Sequence, residues 1–219
     1  MAPPSRKITE LSGSDINYAN SSQATLTFTS AITAHSVDFP AYLTDLSQNF
    51  ASTWNQEDVF GRSDPIATFQ NTKRTISLAW DVPAGSAERA KQNLKSYGSL
   101  VQMLYPGYIT EKLIGGTTDG AVGEPQVVDA AAYTSTMSKS PLIKIKFTNL
   151  IQDASSGDGL LGYVDGFSMK PDLTMGYFSD GVELYPKVFS ISCSFTVLHQ
   201  HDLGFDSGMN WIGNPDYPF

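Results

Sequence analysis

Residues 54–108, WNQEDVFGRSDPIATFQNTKRTISLAWDVPAGSAERAKQNLKSYGSLVQMLYPGY, hold a turn, a strand and a helix in succession and almost no reactive chemistry. The alternation is cleanest at 75–82. There Ile76, Leu78, Trp80 and Val82 fall on one face and Thr75, Ser77, Ala79 and Asp81 on the other, the period of a half-buried strand. Pro83 ends it. Upstream, residues 55–65 contain Gly61, Asp64 and Pro65, turn chemistry in which glycine permits unusual φ, aspartate closes an Asx-turn and proline fixes the following step. Downstream the period lengthens: Ala87, Ala90, Leu94, Tyr97, Val101 and Leu104 line one face of a helix at about 86–104. Gly85 or Ser86 caps its start, Glu88 suits the positive end of its dipole, and Pro106 with Gly107 stops it.

Strand patterns continue on both sides. Leu26 and Phe28 alternate with Thr25, Thr27 and Thr29, and Ile143, Ile145 and Phe147 alternate with Lys144 and Lys146. Residues 36–54 mix apolar side chains with an internal Pro40, the pattern of an edge strand with a bulge or of a loop leading into a short strand. LLGYVDGFSMKP at 160–171 is a further strand in which Gly162 and Gly166 mark bends or close backbone approach. A GYFSDG turn leads to the last strand. In it Phe189, Ile191, Cys193, Phe195 and Val197 face one way, and Ser190, Ser192, Ser194 and Thr196 form a hydroxyl face directed to solvent, to a lumen or to a neighbouring subunit. Strands, one helix and strands again predict a mainly β, α+β single domain over 1–219: a β-sandwich or rolled antiparallel sheet with one flanking helix. An N-terminal arm (about 1–23), a long insertion loop rich in Gly, Ala, Ser and Thr (about 109–140) and a C-terminal arm (about 202–219) complete it. In the last, Phe205, Trp211, Tyr217 and Phe219 are candidates for docking onto a partner, the alternative being that the arm folds back over its own core.

At 219 residues the chain can bury one sizeable core, and hydrophobic residues at 41% against charged residues at 16% describe a folded protein whose surface is largely small and polar. A net charge of −8 with only 14 Lys and Arg argues against a phosphate-binding groove; a like-charged wall past which DNA slides remains compatible with that sign. Without an apolar leader or a run of about 18 apolar residues, the sequence predicts folding in a cytosol and no membrane partner. Cys193 is alone and sits at an apolar position, which reads as a small buried hydrophobe.

Catalytic patterns are scarce, and no cofactor is implied. His199 and His201 in HQHD, placed at i and i+2 on a strand, would share a face as two metal ligands, with Asp202 or a symmetry mate to complete a site, but two ligands do not make one and a polar strand end is the plainer reading. Glu57 and Asp58 are adjacent in a turn and so diverge, unlike the facing carboxylates of a glycosidase. Nucleophile-elbow, phosphate-loop and zinc-protease signatures do not occur.

The ordered set Trp54, Val59–Ile66 with Phe60, Gly61, Arg62, Asp64 and Pro65, then Arg74, Ile76 and Trp80, then Met103, Leu104, Tyr105, Pro106 and Tyr108, and later Pro141, Leu142, Gly162, Tyr185, Pro186, Lys187 and His199 resembles baseplate and tail-tube-initiator proteins of tailed bacteriophages, in the broad tail-tube-like family. The resemblance implies a virion protein assembled in the host cytoplasm, without enzymatic activity. It implies a homohexameric ring whose sheets join into a continuous barrel, initiating the tail tube or adapting it to the hub. The partners implied are the tail tube protein and the baseplate hub and wedge proteins, with genome DNA passing through the lumen. A peripheral wedge or sheath-side component is the alternative, and a cell-wall glycan hydrolase the reading from another class. No peptidoglycan-binding or lysozyme-like module is visible, so wall puncture would fall to partners.

Overall fold

The alternation at 75–82 belongs to a strand of 18 residues, more than twice the length its dry face announces. In the computed structural model, which describes residues 25–40, 42–61, 63–112, 133–153 and 156–212, the elements run β1 (Thr25–Ser30), β2 (Ser36–Pro40), β3 (Tyr42–Glu57), β4 (Ile66–Pro83), α1 (Ala87–Gln102), β5 (Gly107–Lys112), β6 (Tyr133–Lys139), β7 (Ile143–Phe147), β8 (Leu160–Pro171), β9 (Tyr177–Asp180), β10 (Glu183–Pro186), β11 (Val188–Val197), β12 (Gly204–Phe205) and β13 (Trp211–Ile212). The N-terminal arm expected at 1–23 lies outside the described residues. Over the described residues the protein is mainly β with one flanking helix, as its periodicities predict.

Seven strands form one antiparallel sheet in the order β2-β1-β7-β8-β11-β4-β3, not closed into a barrel. Its dry face is built from alternate residues: Leu26 and Phe28 of β1, Ile76, Leu78 and Trp80 of β4, Ile143 and Ile145 of β7, and Phe189, Ile191 and Phe195 of β11 are all essentially inaccessible. The sheet is also strongly rolled. Laid flat, β1 and β4 are four strand spacings apart, about 19 Å at roughly 4.8 Å each. Yet the Phe28 and Trp80 rings stack with centroids 5.4 Å apart, and Phe39 of β2 lies 5.8 Å from Trp80. The β2-β1 end therefore folds over β4, and the two halves of one sheet bury a shared aromatic centre that Phe167 of β8 joins edge-on to Phe28 at 5.7 Å.

Two glycines in β8 separate cleanly. A Cβ at Gly162 would overlap the Thr196 carbonyl oxygen and come within 2.6 Å of the Phe195 ring, whereas one at Gly166 would meet nothing within 4 Å. Gly162 thus permits close approach of β8 to β11. Gly162→Ala is expected to lower stability by about 2–3 kcal/mol through overpacking, and Gly166→Ala by well under that; paired denaturant melts would check the contrast.

The helix closes the end of the sheet beyond Pro83. Ser86 is its N-cap, with its hydroxyl accepting from the Arg89 N–H at 3.2 Å. It packs against β2, β9 and β10, with Leu100 and Met103 in the core and Tyr97 edge-on to Phe189 at 6.3 Å. The buried face differs from the periodic expectation at two points. Leu100 is inaccessible in place of Val101, and Asn93 is buried because its amide donates to the Pro83 carbonyl at 3.1 Å, holding the helix to the strand end.

For residues 36–54 the edge-strand alternative holds: β2 and the 16-residue β3 are the two edges of the sheet, and the bulges lie within β3, between Leu43 and Asp45 and between Thr53 and Trp54. Two further expectations are corrected. The insertion expected as a loop over 109–140 is entered and left by paired strands, β5 and β6, in register from Gly107↔Lys139 to Lys112↔Tyr133; residues 113–132 lie outside the described residues. GYFSDG is part of a hairpin, β9–β10, in which Tyr177 pairs with Pro186 and Asp180 with Glu183.

Candidate assembly surface

β3 and β4 outrun the domain. From Asn49 onward every residue of β3 is exposed, as is every residue of β4 before Arg74. What projects is a two-stranded ribbon, Phe50–Glu57 of β3 alongside Ile66–Lys73 of β4, eight residues on each strand and about 25 Å long at 3.3 Å per residue. A lone two-stranded ribbon is marginal in water, since neither face has a layer to bury against.

Its composition is not that of a solvated hairpin. The dry face of β4 runs Val82, Trp80, Leu78, Ile76 and ends at Arg74, fully buried, whose guanidinium donates to the Gln48 Oε1 at 2.8 Å and lies 5.3 Å from the Phe50 ring. Beyond Arg74 the same face continues with its apolar side chains exposed. Phe50 pairs with Arg74 and Ser52 with Thr72, after which the Thr53/Trp54 bulge skips Gln70 and sets Trp54 opposite Phe69. The bulge turns both rings to one side, where they meet edge to face at 5.3 Å, while remaining 53% and 51% exposed. Ile66 and, at the tip, Val59 and Phe60 are exposed too. The core stripe of the sheet is thus extended into solvent by one ribbon length.

Other hairpins share this character. β9–β10 exposes Leu184 and Tyr177 with Val182 at its turn, and the β5–β6 hairpin exposes Tyr108, Ile109 and Met137. In the C-terminal arm, β12 and β13 form a tight hairpin in which Phe205 and Trp211 stack at 4.4 Å while both stay largely exposed, so over the described residues these aromatics do not fold back over the core. The turn is held by Asp206, whose carboxylate accepts from the Asn210 and Gly208 N–H groups at 2.8 Å and from the Asn210 side chain; these bonds, those to Asn210 foremost, hold its pKa below the ordinary carboxylate value. Tyr217 and Phe219 lie outside the described residues.

The hydroxyl face of β11 lies on the side of the sheet away from the core. Ser190 donates to Asp81 at 2.6 Å across the β11–β4 ladder, Ser192 is exposed, and Ser194 and Thr196 are half-buried opposite Ser77 and Thr75. A shallow depression of about 480 Å³ runs over it, lined by Asp45, Ser77, Ala79, Ser168, Ser192 and Ser194 among others. It offers small polar groups and no converging titratable pair. Cys193 points the other way, into the core, where burial pushes its thiol up to about 12; it should react with a thiol reagent only at the rate of global unfolding, as a labelling time course in rising denaturant would record.

The histidine pair is corrected. β11 ends at Val197, so His199 and His201 lie past the strand and do not share a strand face, and among the described residues no group of three His, Cys, Asp or Glu side chains converges as a metal site. His199 is half-buried near Arg74; burial first, then the charges of Arg74 and His201, lowers its pKa below the ordinary value. Glu57 and Asp58 are both exposed at the far end of the ribbon.

Sequence reading placed the strand of 75–82 and the turn of 55–65 but missed Phe50, Trp54 and Phe69. The signal available was the turn itself. A Gly-Asp-Pro turn at 61–65 sits between NFASTWNQ and IATFQNTK, two stretches that each place aromatics in a polar background, which is a hairpin pattern whose strands have no dry face within their own chain.

No family model and no curated protein matches this chain. Among solved structures, a chain of the anti-feeding prophage (AFP) baseplate, determined by cryo-EM with six-fold symmetrisation, is similar at a TM-score of 0.26 and 7% sequence identity, covering 78% of this chain and 87% of that one. Among the described residues no helix is long and apolar enough to cross a membrane.

Proposed function

We propose that this protein is a non-enzymatic structural subunit of a phage-type tail baseplate, assembling as a ring of six copies that initiates the tail tube or adapts it to the hub. The observation that carries the assembly role is the continuation of the sheet's dry face onto the ribbon: a stripe of Phe50, Trp54 and Phe69, each about half exposed among the described residues, is the kind of apolar patch that another surface covers. The free edges β2 and β3 favour neighbours of the same kind, because ring closure pairs sheet edges that otherwise invite uncontrolled association. The tail-tube-like resemblance of the sequence supplies the identity of the ring. In it the small-hydroxyl face of Ser190, Ser192, Ser194 and Thr196 is turned to the lumen or to a neighbour, Phe205, Trp211, Tyr217 and Phe219 dock on the tube, hub or wedge proteins, and the virion tail is where the protein resides. DNA crosses the lumen without being bound, consistent with the net charge of −8.

Cryo-electron microscopy of the assembled particle tests this. Six copies closing a barrel around the lumen, with ribbons seated on neighbours, are expected. Copies at the periphery without lumen contact would replace the tube role with the wedge or sheath-side reading. A glycan hydrolase is disfavoured by the placement of the carboxylates themselves: Glu57 and Asp58 are neighbours in sequence and both exposed, not a pair facing each other across a bound sugar.

A further inference from the structure

The charges of the ribbon are sorted by face. On the Trp54 side β3 presents Phe50, Ser52, Trp54 and Gln56 and β4 presents Thr72 and Phe69, none of them charged. The Ser52 and Thr72 hydroxyls are hydrogen-bonded to each other at 3.0 Å, so the polar groups in the middle of the stripe bring their own partners into a contact. Glu57 and Lys73, the charged side chains of the two strands, stand beside Ile66 and Ala51 on the opposite side. A neutral stripe of rings presents a partner with no charge to match. Its complement is a second neutral stripe, and the chain itself supplies one: the same stripe on another copy.

Charge along the ribbon decides how two copies meet. The tip carries Glu57, Asp58 and Asp64 against one cation in its sequence, Arg62. At the root stand Lys73 and Arg74, with His199 near Arg74 and His201 near His199. The turn that Gln48 reaches at the Leu150 carbonyl adds Lys146, Asp153 and Asp158, and Asp202 follows His201. The tip is therefore acidic, three acids against one cation, and the root is balanced, three cations against three acids, before the histidines are counted. Two ribbons packed in parallel would set one acidic tip on the other. Packed antiparallel, each tip lies over a balanced root and the tips are about 25 Å apart, roughly three Debye lengths at physiological ionic strength.

We propose that two unassembled copies of this chain pair through the stripe about a two-fold axis, ribbons antiparallel, with the Trp54 and Phe69 rings of each packed on those of the other. Each ribbon brings about 250 Å², two strands about 10 Å across and 25 Å long, against roughly 800 Å² per partner in a stable complex. The pair is therefore weak and reversible. Being closed, it shields the stripe without propagating into larger aggregates. That the pair opens when the ring forms rests on the assembly reading; the pair itself does not.

Sedimentation velocity of the full chain, over a concentration series up to its solubility limit, is expected to show monomer passing to dimer and going no further. Trp54→Ser combined with Phe69→Ser should raise the dissociation constant about thirtyfold or more. Nitroxide labels on Asp58→Cys, with Cys193 buried and unreactive, report the tip-to-tip distance in the dimer by electron paramagnetic resonance. An antiparallel pair gives about 25 Å and a parallel one about 10 Å. A monomer at every concentration overturns the proposal, as do growth beyond the dimer, a dimer indifferent to the double substitution, and a tip distance near 10 Å. The ring fails by a different result, particles in which this chain lies outside any barrel around the lumen.

Discussion

A chain carrying Trp54→Ser and Phe69→Ser is expected to fold almost as stably as the parent and to fail to assemble. Both rings are about half exposed and contact chiefly each other, so removing them costs the isolated chain roughly one cross-strand aromatic pair, about 0.2–1 kcal/mol. At an interface the same rings are worth far more. Aromatic anchors in the desolvated centre of a contact cost about 2 kcal/mol or more each when truncated, so the pair corresponds to about a thousandfold or more in each contact. A ring multiplies that loss over every junction. The measurement pairs a thermal melt of the isolated chain with co-sedimentation of the assembled particle. Assembly at parental levels would show that the ribbon's core-side face is not an interface. A collapse of the melt would show instead that the two rings belong to the subunit's own core, which their exposure argues against.

The contrast between ribbon and sheet also explains what the sequence discloses. β11, β7 and the inner half of β4 were legible because each has one dry and one wet face, and a period of two is the direct imprint of that difference. The outer half of β4 and most of β3 have no dry face among the described residues, so no alternation marks them as strands. Burial of Asn93 was invisible for a related reason: a polar side chain enters a core when a specific acceptor waits there, and the Pro83 carbonyl is a product of the fold. Gly162 and Gly166 look alike in LLGYVDGF, and only the approach of Phe195 and Thr196 from the neighbouring strand makes the first indispensable. Of the candidate site residues, Ser190, Ser192, Ser194 and Thr196 lie on the polar face their spacing predicts, whereas His199 and His201 were read with a strand's geometry two residues after the strand had ended.

The roll of the sheet was the least legible property and has the largest energetic consequence. It brings together residues from β1, β2, β4 and β8 whose separation in sequence carries no periodic trace. Trp80→Ala is accordingly expected to cost about 3–5 kcal/mol, a large share of the roughly 5–15 kcal/mol that holds a domain folded, and the variant should be largely unfolded at modest denaturant. A gentler pair tests the geometry itself. Trp80→Phe keeps a ring and removes an indole N–H that has no hydrogen-bond partner among the described residues, so its cost is partly offset; Phe28→Leu removes the stacked ring on β1. In a flat sheet these sites would be too far apart to interact and their effects would add to within about 0.5 kcal/mol. In a rolled sheet the double-mutant cycle should return a coupling of about 0.5–1.5 kcal/mol. Additivity in that cycle would unroll the sheet and remove the buried face that the ribbon extends, so the fold and the assembly surface stand on the same ring contact.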